Sequence, residues 1–114
     1  MWGGDSDDVP VGPFDLVTCL GVTVCIIDPR KWDRLIARFG TIIAPGGHLV
    51  MIDTVGVDHE LLRTYRDGRI GMYRENTAYE RAITSVGFER IHTDVVERWP
   101  SGEAVNRIWL FRRV

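Results

Sequence analysis

The run "FDLVTCLGVTVCII" (Phe14 to Ile27) restricts the chain more than any other stretch. It is nearly continuous in apolar and β-branched residues and holds a single charge, the pattern of a strand buried on both faces of a parallel sheet. Gly21 interrupts it, so the strand is expected to occupy the first part and a loop the rest. A parallel strand needs a crossover, and the next residues provide one. Asp28 can accept hydrogen bonds from the free N–H groups that open a helix, and Pro29 sits where its missing N–H costs nothing. Trp32, Leu35, Ile36, Phe39 and Ile43 then recur every three or four residues, which lays one apolar stripe along a helix. "APGG" ends that unit as a tight turn, and "HLVMIDTV" (His48 to Val55) is a second short apolar run. Strand, helix and strand in that order make a βαβ unit, whose two strands are parallel and joined by a right-handed crossover.

After this unit, Asp58 can cap a short helix reaching Tyr65, with Gly68 and Gly71 marking a break or mobile loop. "NTAYERAITSVGF" is a further helix, capped by Asn76 or Thr77, with Tyr79, Ala82, Ile83 and Val86 on one face and Gly87 at its C′ position. "ERIHTDVVE" and "AVNRIWLFRR" read as two strands joined by "RWPSGE", a loop containing Pro100 and Gly102 that suits an antiparallel hairpin. At 114 residues the chain has room for one domain with one modest core. Its 45% apolar and 26% charged residues are those of a globular protein rather than a disordered one.

Charge excludes some partners. Fourteen basic and sixteen acidic residues are scattered for a net charge of −2, so no nucleic-acid partner is expected. No apolar run is long enough for a membrane-spanning helix, and no leader pattern opens the chain, so the expected location is cytoplasmic. Cys19 and Cys25 have neither a CxxC spacing nor a companion histidine pair, and are expected as buried free thiols with no metal.

Four short motifs stand in order along the chain: "GDSDDVP" (Gly4 to Pro10), "FDLV" (Phe14 to Val17), "IAPGGHLVMID" (Ile43 to Asp53) and "SVGFERI" (Ser85 to Ile91). With the closing hairpin, they resemble the C-terminal half of a class I S-adenosylmethionine-dependent methyltransferase. The resemblance implies an α/β fold: a partial Rossmann-like sheet of strands equivalent to the family's fourth, fifth, seventh and sixth, with flanking helices and a terminal antiparallel hairpin. It runs from about Gly4 to Arg113 and implies that residues 1–114 are a single domain truncated at its N-terminus, because the family's glycine-rich GxGxG turn and the acidic residue of its second strand have no counterpart in the sequence.

The resemblance also implies roles. Asp5 and Ser6 fall at the family's adenine-contacting turn, and Cys19, Leu20 and Gly21 fall at the carboxyl end of its fourth strand, beneath the methionine part of the cofactor. Asp53 ends the next strand and either faces the same crevice or caps the segment after it. His59, Tyr65, Asp67 and Tyr73 come from the region where relatives touch substrate. No catalytic residue is assigned. The expected activity is methyl transfer from S-adenosylmethionine to a small molecule. A strand that is central in the family would here present a free edge, an opening for a complementing chain or a second copy. The alternative is a non-catalytic interaction module that pairs through that edge.

Overall fold

The computed structural model describes residues 12–114. Strand β1 (Phe14–Leu20) is followed by a single 3₁₀ turn (Thr23–Cys25), helix α1 (Pro29–Ile42) and strand β2 (Ile43–Gly56). A small hairpin, β3 (Leu61–Thr64) and β4 (Ile70–Tyr73), leads to helix α2 (Asn76–Thr84), and strands β5 (Phe88–Arg98) and β6 (Ala104–Arg113) close the chain. The main sheet has the order β1-β2-β6-β5. β1 and β2 are parallel, and both β2–β6 and β6–β5 are antiparallel. The expected βαβ unit and terminal hairpin are both present.

Helix α1 starts as its sequence dictates. Asp28 accepts from the backbone N–H of Arg30 at 2.9 Å, Pro29 takes the first helical position, and Trp32, Leu35, Ile36, Phe39 and Ile42 form its buried face. Ile43, expected to close that stripe, is instead the first residue of β2, so helix passes into strand with nothing between them. "APGG" is absorbed into β2 as an irregularity: two steps along β1, from Phe14 to Leu16, match five along β2, from Ile43 to His48. Gly47 makes this fit possible, since a Cβ there would lie 3.0 Å from the Asp15 carbonyl oxygen of β1.

Both helices lie on one face of the sheet. The Trp32 and Tyr79 rings are 5.5 Å apart, and Tyr79 stacks on Trp109 of β6 at 4.4 Å with an interplanar angle of 15°. Beneath them sit Leu49, Met51, Asp53 and Val55 of β2 and Val105, Trp109 and Phe111 of β6, all buried. The opposite face has no helix among the described residues. There Val50 and Ile52 stand in register with Leu110 and Ile108, and Ile52 with Leu20, giving a half-exposed apolar strip.

Four expectations are corrected. β1 is not buried on both faces: Leu16 and Leu20 are 59% and 57% exposed and only Cys19 is buried, because β1 pairs with β2 alone among the described residues and the helices shield one side only. Residues 61–64 form β3 rather than a helix begun at Asp58, since Gly68 takes a left-handed φ of 86° that folds the segment back on β4. Helix α2 is capped by Glu75, whose carboxylate accepts from the N–H groups of Thr77 and Ala78, and not by Asn76 or Thr77. Its last residue is Thr84 with Ser85 as C-cap, so Gly87, at a φ of 99°, turns the chain two residues beyond the cap.

Candidate functional site

The carboxyl ends of β1 and β2 lie side by side, as parallel pairing requires, and three connections gather above them. The first follows β1. The Gly21 N–H donates to the Ile52 carbonyl at 2.7 Å, extending the ladder one residue past the strand, and Gly21 then turns the chain at a φ of 69° into the 3₁₀ turn. The second is the β3–β4 hairpin, tied down where the Gly56 N–H donates to the Arg74 carbonyl at 2.9 Å. The third is the β5–β6 turn: Gly56 pairs with Ala104, and the Val57 N–H donates to the Glu103 carbonyl at 2.9 Å. In open α/β sheets this end of the strands is where ligands bind.

Two polar groups hold the site from below. Asp53 is 2% exposed, and one of its carboxylate oxygens accepts from the Thr23 hydroxyl at 2.6 Å and from the Tyr79 hydroxyl, while the other is buried with no partner among the described residues. Burial pushes the Asp53 carboxyl up to about 6, against the pull of the two hydroxyls and of Arg74. Burial, together with that same carboxylate, pushes the Tyr79 phenol well above its ordinary value. Arg74 is also buried; its guanidinium donates to the carbonyls of Thr23, at 3.0 Å, and of Ile26, and packs over the Trp32 ring at 4.0 Å. A single arginine of the hairpin thus fastens the loop after β1 to the helical layer.

The direction of the Asp53 shift can be tested. An acid whose folded value is raised stabilises the fold below its unfolded value, near 3.8, and that contribution is lost as pH rises through about 6. Wild type is expected to lose up to about 3 kcal/mol between pH 4 and 7, the size of a two-unit shift, while Asp53→Asn stays nearly level over that range. Urea unfolding at half-unit pH steps measures both, and parallel pH profiles for the two proteins would contradict the assignment.

Two residues singled out from the sequence meet in the structure. The hydroxyls of Tyr65, just after β3, and Tyr73, in β4, are 2.8 Å apart, and their mutual hydrogen bond together with partial burial raises the Tyr65 phenol. Tyr73 is buried and meets Trp99 of the β5–β6 turn edge to face at 5.4 Å. Gly71 leaves room for the pair, since a Cβ there would lie 3.0 Å from the Tyr65 ring. Arg63 of β3 stands 5.1 Å from the centroids of both Tyr65 and Trp99. On the helix side a cleft of about 410 Å³ opens between Ile27, Trp32, Met72 and Ala78, with Glu60, Arg74 and Glu75 as its charged lining.

The other expected residues are spread more widely. Asp5 and Ser6 lie outside the described residues. Leu20 and Gly21 stand exposed at the carboxyl end of β1, with no described residue within 4 Å of a Cβ built on Gly21. Cys19 turns into the core, where burial and Asp53 push its thiol up to about 12. Asp53 neither ends β2, which continues to Gly56, nor caps the next segment. His59 is exposed, and its carbonyl oxygen would be 1.8 Å from a Cβ on Gly56, so the loop rests directly on that glycine. Asp67 pairs with Arg69 at 2.6 Å on the surface. Cys25, expected to be packed, is exposed, because the 3₁₀ turn buries Thr23 instead. Sequence reasoning missed Thr23, Arg63, Arg74 and Trp99. None belongs to a motif, and each is placed by a contact with a residue far along the chain.

No family model matches the sequence, and no curated protein matches it either. Solved structures do match. A Methanosarcina mazei S-adenosylmethionine-dependent methyltransferase superposes with a TM-score of 0.75 at 13% identity, over 96% of this chain and 65% of that one. The Burkholderia thailandensis 1,6-didemethyltoxoflavin N1-methyltransferase, solved with 1,6-didemethyltoxoflavin and S-adenosylhomocysteine, gives 0.67 at 15% identity, over 96% and 48%. The [4+2]-cyclase SpnF gives 0.71 at 14% identity, over 96% and 54%. The chain therefore has the Rossmann-like fold of the class I methyltransferases and spans 48–65% of the length of these three proteins. At such identities the likeness is one of fold, and the cyclase among the three proteins shows that this fold hosts more than one chemistry.

Proposed function

We propose that this chain forms the acceptor side of an S-adenosylmethionine-dependent methyltransferase for a small molecule, and that a segment lying against the edge of β1 left unpaired among the described residues completes the cofactor site. The sheet order β1-β2-β6-β5, with its one parallel pair and its loops gathered at one end, carries this reading. Leu20 and the open backbone at Gly21 suit a wall for the methionine part of the cofactor, with Cys19 contributing through its backbone alone, and Asp5 and Ser6 keep the adenine role that the resemblance gives them. Bound there, the cofactor supplies a methyl group already activated by its sulfonium, which leaves the protein to align the acceptor and exclude water. In this reading Tyr65 and Tyr73, whose hydroxyls meet beside the β5–β6 turn, line the acceptor's entrance.

The exposed Phe14, Leu16 and Leu20 support a second reading, an interaction module that pairs through β1 without catalysis. Titration with S-adenosylhomocysteine by calorimetry, with sedimentation velocity on the same samples, separates the two. The expected result is micromolar binding, about 8 kcal/mol, in an assembled species and none by the monomer. Micromolar binding by a clean monomer would sink the shared site. Assembly with no binding would favour the second reading.

A further inference from the structure

Several arginines have no ion-pair partner among the described residues, and one of them, Arg63, is held in place by two aromatic rings beside the β5–β6 turn. Arg69 is matched by Asp67 at 2.6 Å, Arg90 by Glu80 at 3.1 Å and Arg112 by Glu89 at 2.8 Å. Among the described residues no carboxylate lies within ion-pair distance of Arg63. It is nevertheless positioned, since its guanidinium lies over both Tyr65 and Trp99, 5.1 Å from each ring centroid. Stacking uses the faces of a guanidinium and leaves its in-plane N–H groups, the fork that fits a carboxylate, free to donate. A second donor stands close by. The Tyr65 and Tyr73 hydroxyls share one hydrogen bond, so one of the two O–H protons is used between them and the other has no protein acceptor among the described residues.

The surroundings fix this arrangement. Arg63 is opposite Gly71 in the β3–β4 register, and the missing side chain at Gly71 is what lets the Tyr65 ring lie across β4. Tyr73 is buried and braced against Trp99, whose indole N–H donates to Asn106 at 3.3 Å. Two strands and a turn thus converge on one unpaired guanidinium and one spare hydroxyl. One fork with one hydroxyl matches the two oxygens of a planar carboxylate better than a phosphate dianion, which calls for more positive charge.

We propose that Arg63, with the Tyr65–Tyr73 hydroxyl pair, is a carboxylate-binding site that selects a small molecule carrying an acid group beside an apolar or aromatic body. Calling that molecule the methyl acceptor rests on the function proposed above; the binding site itself does not.

Benzoate and its uncharged analogue benzamide are suitable probes, titrated without any cofactor and followed by the Trp99 indole and Arg63 Nε–H resonances in ¹H–¹⁵N spectra. Benzoate is expected to saturate with a Kd on the order of 1–10 mM, in keeping with its few atoms, and benzamide to bind at least tenfold more weakly. Arg63→Gln should weaken benzoate at least fivefold and leave benzamide unchanged. Arg63→Lys should fall between, keeping the charge and losing the fork, and Tyr65→Phe should weaken benzoate about threefold. Equal binding of the two probes, or an Arg63→Gln protein that holds benzoate as wild type does, would overturn the proposal. A protein that takes benzoate yet fails with S-adenosylhomocysteine keeps this site and loses methyl transfer, and the converse result removes the site alone.

Discussion

Replacing Trp109 with alanine is expected to remove about 4 kcal/mol of stability. The side chain is fully buried in the middle of β6, its ring stacks on Tyr79, and its indole N–H donates to Glu80 at 3.3 Å. Deleting it opens a cavity beneath both helices and removes the stacking, itself worth about 1 kcal/mol. It also frees Tyr79, whose hydroxyl is one of two side-chain donors, among the described residues, to the buried Asp53 carboxylate. Against a total of roughly 5–15 kcal/mol for a domain, such a loss leaves the variant marginal, with its midpoint about 15 °C lower. Trp109→Phe keeps most of the volume and should lose less than half as much. Urea unfolding of the three proteins measures this, and near-equal midpoints for alanine and phenylalanine would show that the stack is not what closes the core.

The second large effect is local. Arg74→Met keeps the apolar stem against Trp32 and removes the guanidinium, so the carbonyls of Thr23 and Ile26 lose their donor. It also removes one of the influences that hold Asp53 down, so that carboxyl should rise further. Breaking a buried charged contact of this kind costs about 3 kcal/mol. The cost should fall on residues 22–27 and 70–74, which Arg74 alone joins through side-chain hydrogen bonds. Amide exchange there is expected to accelerate about a hundredfold, while the centre of β2 and β6 exchanges nearly as before. Uniform acceleration along the chain would mean that the arginine supports the whole fold rather than the site.

How much of this the sequence disclosed depends on the range of the forces involved. Strands, helix α1 and the terminal hairpin follow from residues a few positions apart, such as Asp28 before Pro29 or the stripe from Trp32 to Phe39, and these were legible. The β3–β4 hairpin was not, because "VDHELLRTYRDGRIGMYR" has no strong alternation and its pairing depends on a left-handed turn at Gly68. The exposure of β1 was hidden for a different reason: an apolar strand reads as buried wherever its neighbours are, and only the topology places it at an edge among the described strands. In the candidate site, Tyr65 and Tyr73 could be named but not joined. Their meeting requires Gly71, a residue that signals by lacking a side chain. Arg74 had no sequence signal at all, since its partners lie 51 and 48 residues away.

The direct passage from α1 into β2, with no residue between Ile42 and Ile43, sets where this protein can change length. One residue inserted at that seam would shift β2 by half a pleat and exchange Leu49, Met51, Asp53 and Val55 for Val50, Ile52 and Thr54 under the helices. The seam therefore has no slack. Spare length lies instead in connections such as residues 57–60, 65–69 and 99–103, which gather around the mouth of the candidate site. New specificities can be written into those three segments by insertion and deletion, while the sheet beneath them keeps its count.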